Sequence, residues 1–250
     1  MKFGLIGHPI EHSLSPALFK AGYDGRYPYE LIQTPDFEEA YARFLADYDG
    51  INVTAPFKEL AIKKADLLSE ECQKIGATNL LIKTAEGIKA HNSDYLGVRL
   101  WISKVSGKQI PRILIVGTGG AGKAASEAAR SLGCEVILMN RTQYTEDIRP
   151  LSEFKEAFKQ ADIVIYNLPV RLPELDTLGK EDFIEGRPKH ILEANYRNPS
   201  FDKFLIERIL EIHPLTHHTD GKTWLLLQAL TGYEIFTGEM PDLEKMTACL

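Results

Sequence analysis

Cysteine is scarce in this sequence, and long hydrophobic runs are missing. The 250 residues include only three cysteines, Cys72, Cys134 and Cys249. Their odd number and wide spacing indicate neither a disulfide framework nor a C-x-x-C metal site, so we expect a reducing, cytoplasmic environment. No window approaches the roughly 20 apolar residues of a membrane helix, and the N-terminal apolar stretch is too short and too interrupted for a signal peptide. The sequence predicts neither a membrane anchor nor a secretory leader.

An excess of positive charge is also missing. The 29 lysines and arginines stand against 35 aspartates and glutamates, and neither sign forms a long run. Nucleic-acid binding depends on clustered basic side chains, so nucleic acid is not an expected partner. His12 and the pair His217-His218 have no third ligand at metal-binding spacing, which argues against a metal site. The hydrophobic content of 44% is enough for a packed core, in one large domain or two small ones.

Short β-rich runs alternate with helical patterns along most of the chain. This alternation predicts an α/β fold with a mostly parallel sheet. The spacing of apolar residues indicates helices over 36–48, 121–132 and 224–236. The predicted strands are 3–6, 29–33, 51–54 and 80–83 in the first part of the chain, and 113–116, 135–139, 163–166 and 190–193 in the second.

The stretch 103–111 has the composition of a surface connection between two α/β units. The last predicted helix has no strand after it, so we expect it to fold back on the first unit. The predicted domains are therefore 1–97 with 224–250, and 98–223, with the active site in a cleft between them.

A glycine-rich turn follows one of the predicted strands and opens a predicted helix. Gly117 allows a tight turn, Gly119 lets the backbone approach a pyrophosphate, and Gly122 permits close packing of the helix. The start of the helix, at Gly120 and Ala121, presents free N–H groups to phosphates. A G-x-G-x-x-G pattern in this strand-turn-helix context predicts a dinucleotide site in a Rossmann-type domain.

The end of the next predicted strand distinguishes the two nicotinamide cofactors. An acidic residue there binds the free ribose 2′-hydroxyl of NAD, whereas this chain has Asn140, Arg141 and Thr142. Arg141 offers a planar, permanently charged guanidinium to a 2′-phosphate, and Asn140 and Thr142 add hydrogen-bond donors. The sequence therefore favours NADP.

Polar clusters lie at predicted strand ends and helix starts in the first part of the chain, where ligand groups collect in open α/β sheets. They occupy 7–16, 52–58, 76–79 and 91–94. In this order they match G-x-P-I-x-H-S-x-S-P, N-V-T-x-P-x-K, G-A-x-N and N-[ST]-D, and so resemble the substrate domain of the shikimate dehydrogenase family.

The resemblance continues through the rest of the chain. The segment 117–124 resembles the G-x-G-G turn of the family, and 140–142 resembles its N-R-T. The segment 221–229 resembles its G-x-x-M-L-x-x-Q-A, with Trp224 in place of the methionine. The resemblance therefore spans nearly the whole sequence.

The resemblance implies an oxidoreductase that uses NADP to interconvert 3-dehydroshikimate and shikimate, a step of chorismate and aromatic amino acid biosynthesis. Reduction of a ring ketone needs a proton donor beside the developing alkoxide. The resemblance assigns that acid/base role to Lys58 and Asp94, without deciding which of them transfers the proton. It further implies substrate contacts from Ser13 and Ser15 to the carboxylate, from Thr54, Asn79 and Gln228 to ring hydroxyls, and from Tyr196 at the carboxylate end.

Two alternatives to this function stay open at the level of sequence. One is a quinate/shikimate dehydrogenase of broader specificity, although Arg141 argues against NAD as its cofactor. The other is a non-catalytic metabolite sensor, against which the retention of Lys58 and Asp94 speaks. Local departures from the family are Asn-Leu-Pro-Val at 167–170 and Glu-Ala-Asn-Tyr at 193–196. We expect a monomer or a homodimer.

Overall fold

Strands and helices alternate along the computed structural model, which describes all residues, 1–250. The strands are β1 (Phe3–Gly7), β2 (Tyr29–Gln33), β3 (Gly50–Val53), β4 (Leu67–Leu68), β5 (Leu80–Thr84), β6 (Gly87–His91), β7 (Arg112–Val116), β8 (Glu135–Asn140), β9 (Ile148–Pro150), β10 (Ile163–Tyr166), β11 (Lys189–Glu193) and β12 (Thr216–Thr219). The α-helices are α1 (Ser15–Gly22), α2 (Phe37–Asp47), α3 (Lys58–Ala61), α4 (Glu70–Ile75), α5 (Ser93–Ser106), α6 (Gly120–Ser131), α7 (Phe154–Gln160), α8 (Lys203–Ile212), α9 (Gly221–Thr237) and α10 (Leu243–Thr247). Short 3-10 turns cover Ile62–Lys64, Leu151–Glu153, Pro173–Thr177 and Lys180–Asp182.

The predicted α/β fold class with mostly parallel sheets is confirmed. Every strand predicted from the sequence is present, with each end within one residue of its predicted position. Strands β4, β6, β9 and β12 were not predicted. Strands β4 and β9 have only 2 and 3 residues, and β12 is a polar Thr-His-His-Thr segment at the edge of its sheet. Such segments carry no apolar run that would reveal a strand.

The chain forms two compact units. The first comprises Met1–Gly97 and Leu225–Leu250, and the second comprises Val98–Trp224. The chain passes from one unit to the other inside α5 and returns inside α9. The longest helix, α9, has 17 residues, and no helix combines the length and apolar character needed to cross a membrane.

The sheet of the first unit has the strand order β2-β1-β3-β5-β6-β4. Strand β1 pairs in parallel with both β2 and β3, whereas β5 is antiparallel to its neighbours β3 and β6. The antiparallel direction of β5 brings its first residue to the same edge of the sheet as the carboxyl ends of β1, β3 and β6. That edge carries the candidate substrate site.

The sheet of the second unit is parallel throughout, with the order β12-β11-β10-β7-β8-β9. Counted from its first strand, this is the 3-2-1-4-5-6 order of doubly wound dinucleotide-binding sheets. The direction of winding reverses between β7 and β10. Ligands bind such sheets beyond the carboxyl ends of the strands at that reversal, where the glycine turn follows β7.

Aromatic packing holds α9 against the sheet of the first unit. Phe3 of β1 stacks on Phe236 of α9 with ring centroids 4.9 Å apart, and Phe19 of α1 meets Tyr233 of α9 at 4.8 Å. None of these four side chains is more than 3% exposed. Burial of each contributes on the order of 1.5–3 kcal/mol, so this cluster fixes the helix that carries Gln228.

Two glycines let α5 and α9 approach closely. A Cβ added to Gly97 of α5 would lie 2.6 Å from the backbone nitrogen of Gln228, which is too close for any side chain. A Cβ added to Gly232 of α9 would lie 3.0 Å from Oγ of Ser93. The near contact of the two helices therefore brings the first turn of α5 beside Gln228.

Candidate active site

Polar side chains converge at one edge of the first sheet because of the strand directions. Asn52 of β3 is opposite Leu80 of β5, and Leu80 is in turn opposite His91 of β6. Residues that follow β3, precede β5 or follow β6 therefore lie side by side. Three of the polar clusters found in the sequence meet here, although Lys58 and Asp94, for example, are 36 residues apart along the chain.

Lys58 and Asp94 form an ion pair at this edge. The Lys58 Nζ lies 2.5 Å from Oδ2 of Asp94. Lys58 begins α3 and Asp94 lies in the first turn of α5, and their side chains are 22% and 16% exposed. Both groups are partly screened from water yet reachable by a ligand. The short contact allows a proton to be shared or passed between the ammonium and an oxygen placed beside it.

Asn79 and Gln228 are connected through the hydroxyl of Ser93. The Nδ2 of Asn79 donates to Ser93 Oγ at 3.0 Å, and Ser93 Oγ donates to Oε1 of Gln228 at 3.0 Å. The carboxamide of Asn52 donates to the Asn79 carbonyl oxygen at 3.3 Å. These contacts gather amides from β3, the start of β5 and α9 around one buried serine.

The two predicted carboxylate ligands, Ser13 and Ser15, also lie together. The Oγ atom of Ser13 lies 3.2 Å from Oγ of Ser15 and accepts a hydrogen bond from the Ser15 backbone N–H at the same distance. Tyr233 donates its hydroxyl to the Ser15 carbonyl at 3.1 Å. Burial raises the pKa of the Tyr233 phenol, so that it remains a proton donor at all physiological pH values. The start of α1 is thereby anchored to α9.

Thr54 follows β3 and packs over the end of β1. A Cβ on Gly7 would lie 2.3 Å from the methyl carbon of Thr54, so only glycine permits this approach. The His8 backbone N–H donates to the Ala55 carbonyl at 3.2 Å, which ties the loops after β1 and β3 together. Thr54 thus belongs to the same edge as the ion pair. Tyr196, the remaining predicted substrate residue, lies in the second unit, in the segment after β11.

The glycine turn of the second unit has the backbone that the sequence predicted. Gly117 has φ +91°, a conformation that favours glycine. A Cβ on Gly122 would lie only 2.0 Å from the Gly117 carbonyl oxygen, so α6 begins directly against the turn. A Cβ on Gly119, by contrast, would meet no atom within 4 Å. The space above Gly119 is therefore open to a ligand, while Gly120 and Ala121 begin the 12-residue helix α6.

A polar atom beside the turn lacks a partner. The hydroxyl of Thr118 is buried and makes no hydrogen bond within the chain. A buried hydroxyl without a partner is uncommon because its desolvation is not compensated. The unpartnered hydroxyl, the open space above Gly119 and the free N–H groups of α6 together fit the phosphates of a dinucleotide.

The Asn140-Arg141-Thr142 segment lies next to the glycine turn. The Gly117 backbone N–H donates to the Met139 carbonyl at 2.8 Å, so the turn starts beside the end of β8. Asn140 Nδ2 donates to the Thr142 carbonyl at 3.3 Å, and Arg141 and Thr142 are exposed. An exposed guanidinium at this position is available to a phosphate group.

Comparison with known proteins identifies the family. The model of the shikimate dehydrogenase substrate-binding domain matches residues 5–81, and that of the D-isomer specific 2-hydroxyacid dehydrogenase NAD-binding domain matches residues 77–193. The chain is 31% identical over 261 residues to a shikimate dehydrogenase (NADP(+)) of Pyrococcus furiosus, with 98% of this chain and 93% of that protein covered. The chain belongs to the shikimate dehydrogenase family.

Two further proteins are similar to this chain. The pentafunctional AROM polypeptide of Candida tropicalis is 34% identical over 177 residues, which cover 68% of this chain and 11% of that polypeptide. Shikimate 5-dehydrogenase from Thermus thermophilus, solved in complex with NADP(H) and shikimate, superposes with a TM-score of 0.81 at 28% identity. That superposition covers 100% of this chain and 98% of that one.

Two of the departures from the shikimate dehydrogenase pattern, at 167–170 and 193–196, have local structural roles. Asn167 follows β10 and donates from Nδ2 to the Gly117 carbonyl at 3.5 Å, while its Oδ1 is buried without a partner. Glu193, at the end of β11, is fully buried and accepts hydrogen bonds from the backbone N–H groups of Ser200 and Phe201. Burial raises the pKa of the Glu193 carboxyl. Glu193 therefore braces both ends of the segment that carries Tyr196.

Ser93, Asn52 and Thr118 were not among the residues predicted for the site. Ser93 stands inside the N-[ST]-D motif of the shikimate dehydrogenase family, and that motif was the available signal. Asn52 opens N-V-T-x-P-x-K in the same way. Thr118 lies between two glycines of the turn, Gly117 and Gly119, and no sequence pattern distinguishes its side chain. No group of three or more histidine, cysteine, aspartate or glutamate side chains comes together as a metal site.

Proposed function

We propose that this chain is an NADP-dependent shikimate dehydrogenase that catalyses the reversible reduction of 3-dehydroshikimate to shikimate. The observation that carries the proposal is the ion pair between Lys58 and Asp94, 2.5 Å long, beside the linked amides of Asn79 and Gln228. Membership of the shikimate dehydrogenase family supports it, as does the Thermus thermophilus relative solved with NADP(H) and shikimate.

Lys58 and Asp94 act on the oxygen of the ring ketone in this proposal. Bound NADPH supplies a hydride to the carbonyl carbon. The ammonium of Lys58 then stabilises the developing alkoxide and, with Asp94, provides its proton. In the oxidative direction the same pair accepts the hydroxyl proton. Asp94 also orients the Lys58 ammonium through their direct contact.

The substrate-binding roles follow from hydrogen-bonding capacity. Ser13 and Ser15 form a pair of hydroxyls for the carboxylate. Tyr196 is a further proposed substrate ligand, through its phenol. Thr54, Asn79 and Gln228 bind the ring hydroxyls. The hydroxyl of Thr54 makes no hydrogen bond within the chain that would compete with a ligand.

The second unit is the proposed NADP site. The pyrophosphate binds on the open turn and at the start of α6, at Gly117, Gly119, Gly120, Ala121 and Gly122. The 2′-phosphate is bound by Arg141, with Asn140 and Thr142 beside it. The absence of a carboxylate at the end of β8 removes the group that would repel this phosphate.

The first test is NADPH oxidation with 3-dehydroshikimate by the wild type and by Lys58→Ala. Loss of a general acid lowers kcat by about 10²- to 10⁴-fold, with a small change in KM for 3-dehydroshikimate. Lys63→Ala is the matched control because Lys63 is exposed on the adjoining turn, and it should retain wild-type rates. Asp94→Asn keeps a hydrogen-bonding group without the charge and should fall between the two.

Either of two results would overturn the proposal. If the wild type binds shikimate but does not turn it over, the chain is a metabolite sensor. If Lys58→Ala retains more than about a tenth of wild-type kcat, the lysine is not the proton donor. A cytoplasmic location and a monomeric or homodimeric state remain predictions, and size-exclusion chromatography with light scattering tests the second.

A further inference from the structure

Ser93 occupies a central position among the polar groups of the first unit. Its side chain is 0% exposed, at the first residue of α5, immediately before Asp94. Its backbone N–H and its hydroxyl both bond to side chains that the proposed function assigns to substrate binding. Together with one backbone carbonyl, that of Leu225, these bonds hold each of the two amides at both its oxygen and its nitrogen.

The orientation of the Asn79 amide is fixed by a backbone donor. The Ser93 N–H donates to Oδ1 of Asn79 at 2.7 Å. A backbone N–H can only donate, so this atom must be the amide oxygen. The Nδ2 atom therefore faces Ser93 Oγ, 3.0 Å away, and donates to it.

The orientation of the Gln228 amide is fixed by a backbone acceptor. Its Nε2 donates to the Leu225 carbonyl at 3.0 Å, and a carbonyl can only accept. The Oε1 atom is therefore the one that lies 3.0 Å from Ser93 Oγ. Since the Ser93 hydroxyl has a single proton, it donates to Gln228 and accepts from Asn79. The Ser93 Oγ atom also lies 3.3 Å from Asn79 Oδ1, but the hydroxyl has no second proton with which to form a hydrogen bond there.

This arrangement uses one oxygen and one N–H of each amide. Each amide has a second N–H that bonds to no other group in the chain, so Asn79 and Gln228 both keep a donor for a ligand. We propose that Ser93 is a positioning residue that makes both amides present N–H groups to the substrate, so that the ring oxygens they bind act as hydrogen-bond acceptors. The inference rests on the proposed function, because it takes Asn79 and Gln228 as substrate ligands.

The helix packing around Ser93 leaves little freedom for another arrangement. Gly232 of α9 faces the Ser93 side chain, and a Cβ there would lie 3.0 Å from Oγ. Gly97, one helical turn after Ser93, lies against the backbone of Gln228. Water does not reach the serine. Removal of the hydroxyl leaves the Asn79 amide held only by the Ser93 backbone N–H, and the Gln228 amide held only by the Leu225 carbonyl. Each amide can then swing about its one remaining hydrogen bond, so its free N–H is no longer held toward the substrate.

Ser93→Ala tests the proposal, with Ser106→Ala as the matched control at the other end of α5. Ser106 donates to the Ile102 carbonyl within the helix and contacts no substrate residue. We expect Ser93→Ala to raise KM for shikimate at least about tenfold and to lower kcat by less than that, since the Lys58–Asp94 pair is retained. Ser93→Thr keeps the hydroxyl and should restore KM to within about threefold of the wild type.

A second measurement reads the donor direction itself. The competitive inhibitors compared are shikimate analogues in which one ring hydroxyl at a time is replaced by fluorine or by an amino group. Fluorine only accepts a hydrogen bond, whereas the amino group is protonated and only donates one. For at least one position the wild type should prefer the fluorinated analogue, and Ser93→Ala should reduce that preference by at least about fivefold. A merely structural serine would weaken both analogues equally.

The proposal is overturned if Ser93→Ala leaves KM within about twofold of Ser106→Ala, or if the analogue preference is unchanged. Ser93 lies in the first unit, so cooperative thermal unfolding followed by calorimetry, rather than NADP+ binding by the second unit, reports whether the variant is folded. If Ser93→Ala does not fold, Ser93→Thr and Ser93→Cys are compared instead, and only the threonine variant should keep the preference. If the wild type turns over no substrate yet binds the analogues with the expected preference, the proposed function fails and this inference stands.

Discussion

Two alanine substitutions in the glycine turn should separate the requirement of the fold from that of the cofactor. A Cβ on Gly122 would lie 2.0 Å from the Gly117 carbonyl oxygen, so the helix and the turn must separate by about 1 Å or more before the contact becomes tolerable. A Cβ on Gly119 would meet no protein atom within 4 Å. The first substitution disturbs the protein, whereas the second occupies the space proposed for a phosphate.

The expected magnitudes differ accordingly. Overpacking costs about 1–3 kcal/mol, and about 1 kcal/mol shifts the Tm of a chain of this size by about 2–4 °C. Gly122→Ala should therefore lower Tm by about 2–12 °C and weaken NADP+ binding. Gly119 has φ −69° and ψ −167°, which alanine also adopts, and loss of a glycine N-cap costs less than about 1 kcal/mol. Gly119→Ala should keep Tm within about 4 °C of the wild type and raise the Kd for NADP+ at least about tenfold.

Differential scanning calorimetry and direct titration with NADP+ measure the two effects independently. If Gly119→Ala binds NADP+ as tightly as the wild type, the pyrophosphate does not lie on this turn and the proposed cofactor site is wrong. If Gly122→Ala is as stable as the wild type, the close approach of α6 to Gly117 is not rigid. Each result refutes one part of the argument without affecting the other.

Two further predictions concern single charged residues. Arg141→Ala should raise the Kd for NADP+ by about 10- to 100-fold, because charge-assisted hydrogen bonds contribute about 1.5–3 kcal/mol. The Kd for NAD+, which has no 2′-phosphate, should be unchanged. Equal losses of affinity for both cofactors would contradict a 2′-phosphate contact. Lys189 is 3% exposed and donates to the Phe158 and Ala161 carbonyls, and burial lowers its pKa to about 7 from 10.5. Above about pH 7, Lys189 is therefore deprotonated in the folded state but still protonated in the unfolded state. The free energy of unfolding should rise between about pH 7 and 9, by up to about 1.4 kcal/mol per pH unit. Urea unfolding of Lys189→Met should lack this contribution, and identical pH dependence in the two proteins would exclude it.

Patterns of apolar residues predicted most of the elements, and the misses have a common cause. Strands β1 and β7 are buried apolar runs, which tertiary packing must place in a core. Strand β6, Gly-Ile-Lys-Ala-His, has one fully buried residue and is recognisable only as the partner of β5. A strand whose stability comes from its neighbour carries little signal in its own sequence.

The candidate site likewise contains residues that the sequence predicted and some, such as Ser93, that it did not. Lys58 and Asp94 were predicted as a pair because they stand in motifs that resemble one family. Ser93 stands in one of those motifs but bears no charge, and its importance depends on two bonds to distant parts of the chain. A buried serine on a helix has no distinguishing mark in a sequence. Only its neighbours reveal that it orients two amides.

The sequence by itself determined the α/β class, the dinucleotide turn, the family and most of the candidate residues. These features depend on local chemistry: apolar periodicity, glycines at a tight turn, and short motifs that keep their residues close along the chain. The tertiary structure decided that β5 runs antiparallel, and so that Asn79 meets residues from β3, α5 and α9 at one edge. It also decided the donor direction of the amides, because hydrogen-bond partners that are 14 and 135 residues apart are set only when the strands and helices pack.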